Sequence, residues 1–459
     1  MTRPHLPNES AMSYLFKSGT IICLDPASVE SVDLRVEGGR VIERASQLAA
    51  REGEEVIGLN GKLVMPGMVC AHTHLYSAFA RGMPAPPRAP LNFMEILELI
   101  WWRLDRALDE ETIYWSAVAA ALEAARAGTT CLFDHHASPS FIGGSLKLVR
   151  EAIQKVGLRA VLCYEVTDRG GTRKRDEALD ENRALLKSLN GPGLQALGAE
   201  SQTPARNQTL FRGMVGAHAS FTLSDRSLDA CAALMNEFDA GLHIHVAEDA
   251  CDVEDAREKY GLGVVERLAS HGALNPRTIL AHCTHLSERE IELARAAGVW
   301  FAHNPRSNMN NQVGYAPVEK FGGRVVLGTD GIGGDMFEET RTAFFRSRDA
   351  HTGLAASDWL RVLANNQRMA SAAFGDDLTS LRVGSAADLV VLDYDSPTPL
   401  TTENLAWHLV FGLTSASVES VMVAGRFIVR DRASALDHED IYAEARKASE
   451  KLWTKLKEA

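Results

Sequence analysis

The chain has 459 residues, 46% of them hydrophobic, a formal net charge of −12 and 7 cysteines. An acidic surface repels phosphate backbones and argues against a nucleic-acid partner, and no run of about 18 apolar residues is available to span a membrane. The odd number of cysteines, with no Cys-x-x-Cys pair, speaks against a disulfide scaffold and for a reducing, cytoplasmic setting. The length suits an α/β barrel of roughly 250 residues or more plus one smaller unit.

The first eleven residues, polar and carrying Pro4 and Pro7, read as a loose tail without the apolar core of a signal peptide, and Met12 is an alternative start. From there Ser13 to Leu24, Val32 to Glu37 and Arg40 to Glu43 alternate apolar and polar residues as strands, with Gly38-Gly39 as a hairpin turn. The long middle stretch changes rhythm. Leu63 to Cys70, Thr130 to Asp134, Arg159 to Tyr164, Met214 to Ala217, Gly241 to His245, Thr278 to His282, Val299 to His303 and Val325 to Thr329 are near-continuous apolar runs separated by helical patterns. Among those helices are Glu111 to Ala127, stopped by Gly128, and Glu288 to Ala297, stopped by Gly298. Such strands are parallel and buried on both faces, and eight of them suggest a closed (β/α)8 barrel. Ala387 to Asp393, Val418 to Val423 and Arg426 to Val429 return to strand texture, and Ile441 to Leu456 is an amphipathic helix expected to pack outside. If both β-rich ends join one sheet, residues 13–64 and 380–432 form a discontinuous β-sandwich around a barrel at 65–379, followed by a helical tail at 433–459.

Barrel chemistry collects at the C-terminal ends of the strands. His72, His74, His135, His136, His218, His243, His245, His282, His285 and His303, out of 15 histidines, fall at or just past predicted strand ends. His72 and His74, at i and i+2, share one strand face, where two imidazoles can close on one ion or form a hydrogen-bonded structural pair. His243 and His245 repeat the pattern. Glu248, just above the strand, favours His245 as ligand with Glu248 as proton shuttle. His243, about 7 Å deeper, reads as a buried histidine of the barrel wall. Asp330 emerges from the apolar run Val325 to Leu327 and needs a cation or a hydrogen-bond donor, as metal ligand or as helix cap.

As an ordered set, these motifs resemble the amidohydrolase superfamily, in its deaminase and chlorohydrolase branch, nearest to SsnA-type aminohydrolases. They are Pro66 to His74 with Arg81-Gly82, Gly128-Thr129-Thr130, His245-Val246-Ala247-Glu248, Ala281 to Leu286, His303 to Met309 and Gly328-Thr329-Asp330-Gly331; Asp134 to Pro139 and Trp101 to Leu104 point to the SsnA-like subgroup. The resemblance implies a (β/α)8 barrel with a flanking β-sandwich and metal ligands at His72, His74, His245 and Asp330. It also implies Glu248 as proton shuttle and His282 as the group that orients the attacked atom and its water. His218 stands where binuclear members carry a bridging lysine, so one divalent ion is expected, zinc ahead of iron.

The expected reaction is attack of metal-activated water on a ring carbon, with Asp330, Glu248 and His282 as the catalytic groups. The expected substrate is a small purine-like heterocycle of the guanine or oxidised-guanine type. Arg81, His135, His136, His218, Asn304 and Arg306 are candidates to bind the ring's edges, although Arg81 also suits a salt bridge and Asn304 and Arg306 a braced loop. Ring opening of a cyclic amide, dehalogenation, and a metal-binding scaffold with a retired site are the competing readings. Trp101-Trp102 suits a pocket wall, the core or a homo-oligomer interface alike.

Overall fold

The computed structural model describes residues 13–190, 210–434 and 436–458, so the expected N-terminal tail and the alternative start lie outside the described residues. Strands Met68–Thr73, Thr129–His136, Arg159–Val166, Val215–Ala219, Leu242–Val246, Ile279–His282, Trp300–His303 and Val325–Leu327 lie side by side in chain order, each parallel to the next. The last returns to the first: the backbone N–H groups of Thr329 and Asp330 donate to the His72 carbonyl at 2.8 and 3.0 Å, and Thr73 bridges Asp330. The closing seam needs Gly328, because a Cβ there would lie 2.7 Å from His72 Cβ. The eight strands with intervening helices make a (β/α)8 barrel.

One expected strand is two. The apolar run from Leu63 to Cys70 breaks at Gly67: Leu63–Pro66 belongs to a second sheet, and only Met68–Thr73 enters the barrel. Both halves are buried, so hydrophobicity alone carries no mark of the break. Gly67 is required by contact, since a Cβ would come within 2.1 Å of Thr130 Oγ1. Other strand ends shift by a few residues; Val325–Leu327 stops two residues before Thr329.

The second sheet takes Ser13–Leu24, Ala27–Glu37, Arg40–Ala45, Glu55–Gly58 and Leu63–Pro66 from one end of the chain. Leu389–Leu392, Val418–Val423, Arg426–Arg430 and Ala433–Ser434 come from the other. The two sets meet where Leu63–Pro66 runs antiparallel to Leu389–Leu392. Period-two alternation sends Phe16, Leu34, Val64, Leu389 and Met422 into one cluster. Leu24, Met65, Val390 and Val421 go to the opposite face and join the barrel's core. Arg159, at the base of the third barrel strand, is buried against Asp388 with Nε and Nη2 at 2.7 and 3.0 Å from its oxygens. The same aspartate accepts the Ala424 N–H at 2.8 Å and, through its carbonyl, that of Gly67 at 3.0 Å, tying sheet to barrel.

Local signals set the helix ends. Asp109 and Thr112 form a capping box on Glu110–Arg126, and Ser287 and Glu290 do so on Glu288–Ala297, which Gly298 ends at φ 72°. The C-terminal helix, His438–Glu458, lies outside the barrel, where Trp453 Nε1 donates to the Phe79 carbonyl at 2.9 Å and Lys451 pairs with Glu111. Among the described residues no helix is long and apolar enough to cross a membrane, and all seven cysteines are free thiols.

Candidate metal centre and substrate pocket

Strands of one direction deliver their C-terminal ends to one rim, where side chains far apart in sequence meet. His74 Nε2 stands 3.0 Å from Asp330 Oδ1 and 3.2 Å from His245 Nε2. His72 Nε2 lies 3.5 Å from the same Asp330 oxygen, and His282 Nε2 lies 3.9 Å from Asp330 Oδ2 and 3.6 Å from Glu248 Oε2. One atom each from His72, His245, His282 and Asp330 falls within 4.8 Å of the others, and His74, His135 and His245 make an overlapping group.

Each imidazole is aimed by what it touches on its far side. His74 Nδ1 meets the His135 carbonyl at 2.5 Å, His245 Nδ1 the His218 carbonyl at 2.8 Å, and His282 Nδ1 the Asn308 Oδ1 at 2.7 Å. A ring nitrogen facing an oxygen acceptor carries the proton, so Nε2 keeps its lone pair and turns it toward Asp330. His72 Nδ1 contacts His243 Nε2 at 2.8 Å, which gives the deeper histidine an orienting place behind the cluster. His72 Nε2 and His282 Nε2 are buried with no hydrogen-bond partner. Buried lone pairs crowded on a carboxylate are costly unless a cation joins them, and a nitrogen-rich set with one carboxylate oxygen fits a zinc-like divalent ion.

Electrostatics and backbone agree with a specialised site. Burial pushes Asp330 upward, but the His72 and His74 imidazoles set against it, with His282 nearby, outweigh that and hold the carboxyl well below its usual range. Burial raises Glu248. Ala247, His282 and Asp330, at the ends of the fifth, sixth and eighth strands, have left-handed φ values of 46°, 72° and 52°, a strain that non-glycine residues carry where the surroundings over-determine them.

The turn of helix Pro305–Asn310 braces three of these groups at once. Ser307 Oγ donates to Asp330 Oδ2, Asn308 orients His282, and Asn311 Nδ2 donates to Glu248 Oε1 at 3.1 Å. The sequence singled out His303 to Met309 as a motif but gave no task to Ser307 or Asn308, because nothing in a linear string shows which strand-end groups a short helix will face.

Of the six expected substrate contacts, the structure brings His218 to the pocket wall, its Nδ1 2.8 Å from Thr222 Oγ1. Arg81 points to solvent and pairs through both guanidinium nitrogens with Glu123 at 2.9 and 2.8 Å. Arg306 is spent on Glu338, Glu339 and the Gly333 carbonyl, bracing a loop. His136 turns to Ser138 Oγ at 2.9 Å and packs edge-on to Tyr76 and Tyr164. Asn304 is sealed inside the barrel beside Gly328. His135 touches the cluster from below, its Nε2 donating to the Ala217 and His243 carbonyls at 3.0 and 3.1 Å.

The pocket above the cluster is walled instead by Tyr76, Trp101, Trp102, Asp105, Glu165 and Asn311. The tryptophans arrive there through a π-helical turn over Leu97–Trp101, an irregularity of a kind frequent at functional sites. Glu165 directly follows the expected third barrel strand but belongs to none of the sequence motifs, and Asp105 gave no signal, sitting on the short helix Trp102–Ala107.

The sequence profile of the Amidohydrolase family matches residues 63–428. The chain belongs to the amidohydrolase family. It is 32% identical over 437 residues to a 5′-deoxyadenosine deaminase of Methanopyrus kandleri, covering 91% of this chain and 94% of that one. It is 30% identical over 435 residues to a 5-methylthioadenosine/S-adenosylhomocysteine deaminase of Desulforudis audaxviator, covering 92% and 94%. An adenosine deaminase from Xanthomonas campestris, solved with bound zinc, superposes with a TM-score of 0.81 at 24% identity over 96% of this chain and 99% of that one. A zinc complex of atrazine chlorohydrolase from Arthrobacter aurescens gives 0.77 at 22% identity over 95% and 100%. These two likenesses establish the fold. The amidohydrolase is thus an enzyme of a metal-dependent hydrolase family whose named relatives are deaminases. Those relatives are named for adenosine-type compounds, so the guanine-type expectation has no counterpart in them.

Proposed function

We propose that this amidohydrolase removes ammonia hydrolytically from an amino-bearing purine-type ring, using one divalent ion, zinc, held by His72, His74, His245 and Asp330. The supporting observation is the set of imidazole Nε2 lone pairs from three strands turned on one carboxylate, with Glu248 and His282 at its edge. Kinship with deaminases supports the choice of an exocyclic C–N bond. A divalent ion in such a set supplies Lewis acidity that lowers the pKa of a water toward neutrality.

The chain's own groups supply the rest. Asp330 takes a proton from the attacking water, its Oδ2 steadied by Ser307. His282, with its Nδ1 proton committed to Asn308, orients the attacked carbon's substituents through Nε2. Glu248, held at Oε1 by Asn311, uses Oε2 to protonate the ring nitrogen, then takes the proton of the new hydroxyl as the carbonyl forms and passes it to the departing amine, and the proton held by Asp330 returns to Glu248 to restore both groups. Water adds, ammonia leaves and a ring carbonyl remains, so atoms and charge balance. The aromatic wall of Tyr76, Trp101 and Trp102 suits a flat ring.

The test is ammonia release by zinc-loaded protein across adenosine, 5′-deoxyadenosine, guanine and 8-oxoguanine, with metal content measured alongside. Ammonia from at least one of them at close to one metal per chain supports the reading. Metal binding with no ammonia, but a new carboxylate or released chloride on cyclic-amide or chlorinated rings, replaces it.

A further inference from the structure

The pocket over the metal cluster is small, about 50 Å³, and opens beside a cavity of about 540 Å³ lined by Trp102, Tyr164, Glu165, Thr167 and Arg169 among others. Glu165 and Trp102 line both spaces. A ring seated over the cluster with any extension into the larger space therefore passes Glu165.

That carboxylate is held rigidly by one side. Arg169 Nη2 donates to Glu165 Oε1 at 2.7 Å and to Asp105 Oδ2 at 3.1 Å, and its guanidinium lies over the Trp102 ring with 4.5 Å to the centroid. Glu165 Oε2 has His135 Nδ1 at 3.8 Å, beyond hydrogen-bond reach. That nitrogen offers no proton, because His135 Nε2 is the one donating to two backbone carbonyls. Asp105 Oδ1 is buried without a partner. Two carboxylates share one guanidinium, so this wall is rich in acceptors. A preorganised, desolvated acceptor rewards a substrate donor and penalises its absence.

We propose that Glu165 sets which substrates the site accepts. Its Oε2 takes a hydrogen bond from a donor carried just beyond the reacting end of the ring, either a ring N–H of a free base or a sugar hydroxyl of a nucleoside. The assignment rests on the deaminase reading for the orientation of the ring; one carboxylate oxygen of Glu165 also lies within 4.8 Å of a ring nitrogen of His218 and of His245, and the proposal gives Glu165 to the substrate rather than to an ion.

Two matched pairs test it: guanine with 9-methylguanine, and adenosine with 2′,3′-dideoxyadenosine, each pair differing in the donor. Wild-type and Glu165→Gln proteins, checked for equal metal content, are compared by calorimetric binding and by ammonia release. In one pair the wild type favours the donor-bearing compound by about tenfold to a hundredfold, as a hydrogen bond to a charged group warrants, and the preference resides in Kd or KM rather than kcat. The variant brings that ratio toward one. The pair that shows the effect identifies the source of the donor. Should Glu165→Gln not fold, Glu165→Asp, which keeps a charge for Arg169 while withdrawing the oxygen from the pocket, gives the same collapse. A ratio unchanged in the variant, no preference in either wild-type pair, or no binding of any of the four overturns the assignment. Binding with the expected preference but without ammonia leaves it standing and overturns the deaminase reading instead.

Discussion

The barrel has buried charge at both of its ends, and treats it in opposite ways. At the base, Arg159 and Asp388 satisfy each other with two short contacts, and spare acceptor capacity goes to the Ala424 N–H. At the rim, His72 Nε2 and His282 Nε2 are buried with no partner and several strand ends carry left-handed backbone. A closed network fixes one part of a molecule against another, whereas open lone pairs pointing at one carboxylate cost stability that only a ligand returns. The base is built to hold the second sheet; the rim is built to hold something the chain does not itself contain.

Substitutions at the two ends should therefore fail differently. The largest effect belongs to His72→Ala and His245→Ala: metal content by mass spectrometry and ammonia release are both expected to vanish, and a variant that keeps one metal per chain would remove that residue from the ligand set. Glu248→Gln should keep its metal while turnover drops roughly 10²- to 10⁴-fold, the usual weight of a positioned acid–base group; a normal rate would end the shuttle role. Asn308→Ala leaves His282 unaimed, and kcat should fall about 10- to 100-fold with the fold intact, as for other groups that orient a site from behind. At the base, Asp388→Ala removes the carboxylate paired with the buried Arg159 guanidinium and should cost about 3–5 kcal/mol in denaturant unfolding, while the molecules that remain folded keep their metal. A loss of metal in Asp388→Ala at low temperature would mean that the two ends are not independent. The smallest effect is expected at Arg81→Ala: an exposed ion pair with Glu123 is worth about 0.2–1 kcal/mol, and KM should stay within about twofold. A tenfold rise would return Arg81 to the substrate site.

The sequence was most informative where chemistry is carried by residue type. Histidines at i and i+2, a glutamate just above them and an aspartate closing an apolar run are rare enough in combination to be read from the string, and the geometry brings them within a few ångströms. It was least informative about long polar side chains. Arg81 and Arg306 can reach in many directions, and the carboxylates that claim them, Glu123, Glu338 and Glu339, are distant in sequence. Asn304 and His136 were hard to place from the string for a related reason: the way a side chain at or just past a strand end turns depends on a register that the sequence does not fix.

By itself the sequence determined the alternation of strands and helices, the caps that end the helices and the inventory of metal-seeking side chains, because these depend on periodicity and local hydrogen bonding within a few residues. Tertiary structure alone decided that the strand at Leu63 divides at Gly67 between two sheets, that His243 stands behind His72, that one short helix braces Asp330, His282 and Glu248, and that Glu165 faces the pocket. Each of these is a meeting of segments remote along the chain. Such meetings are set by closure of the barrel and by packing, which no local pattern encodes.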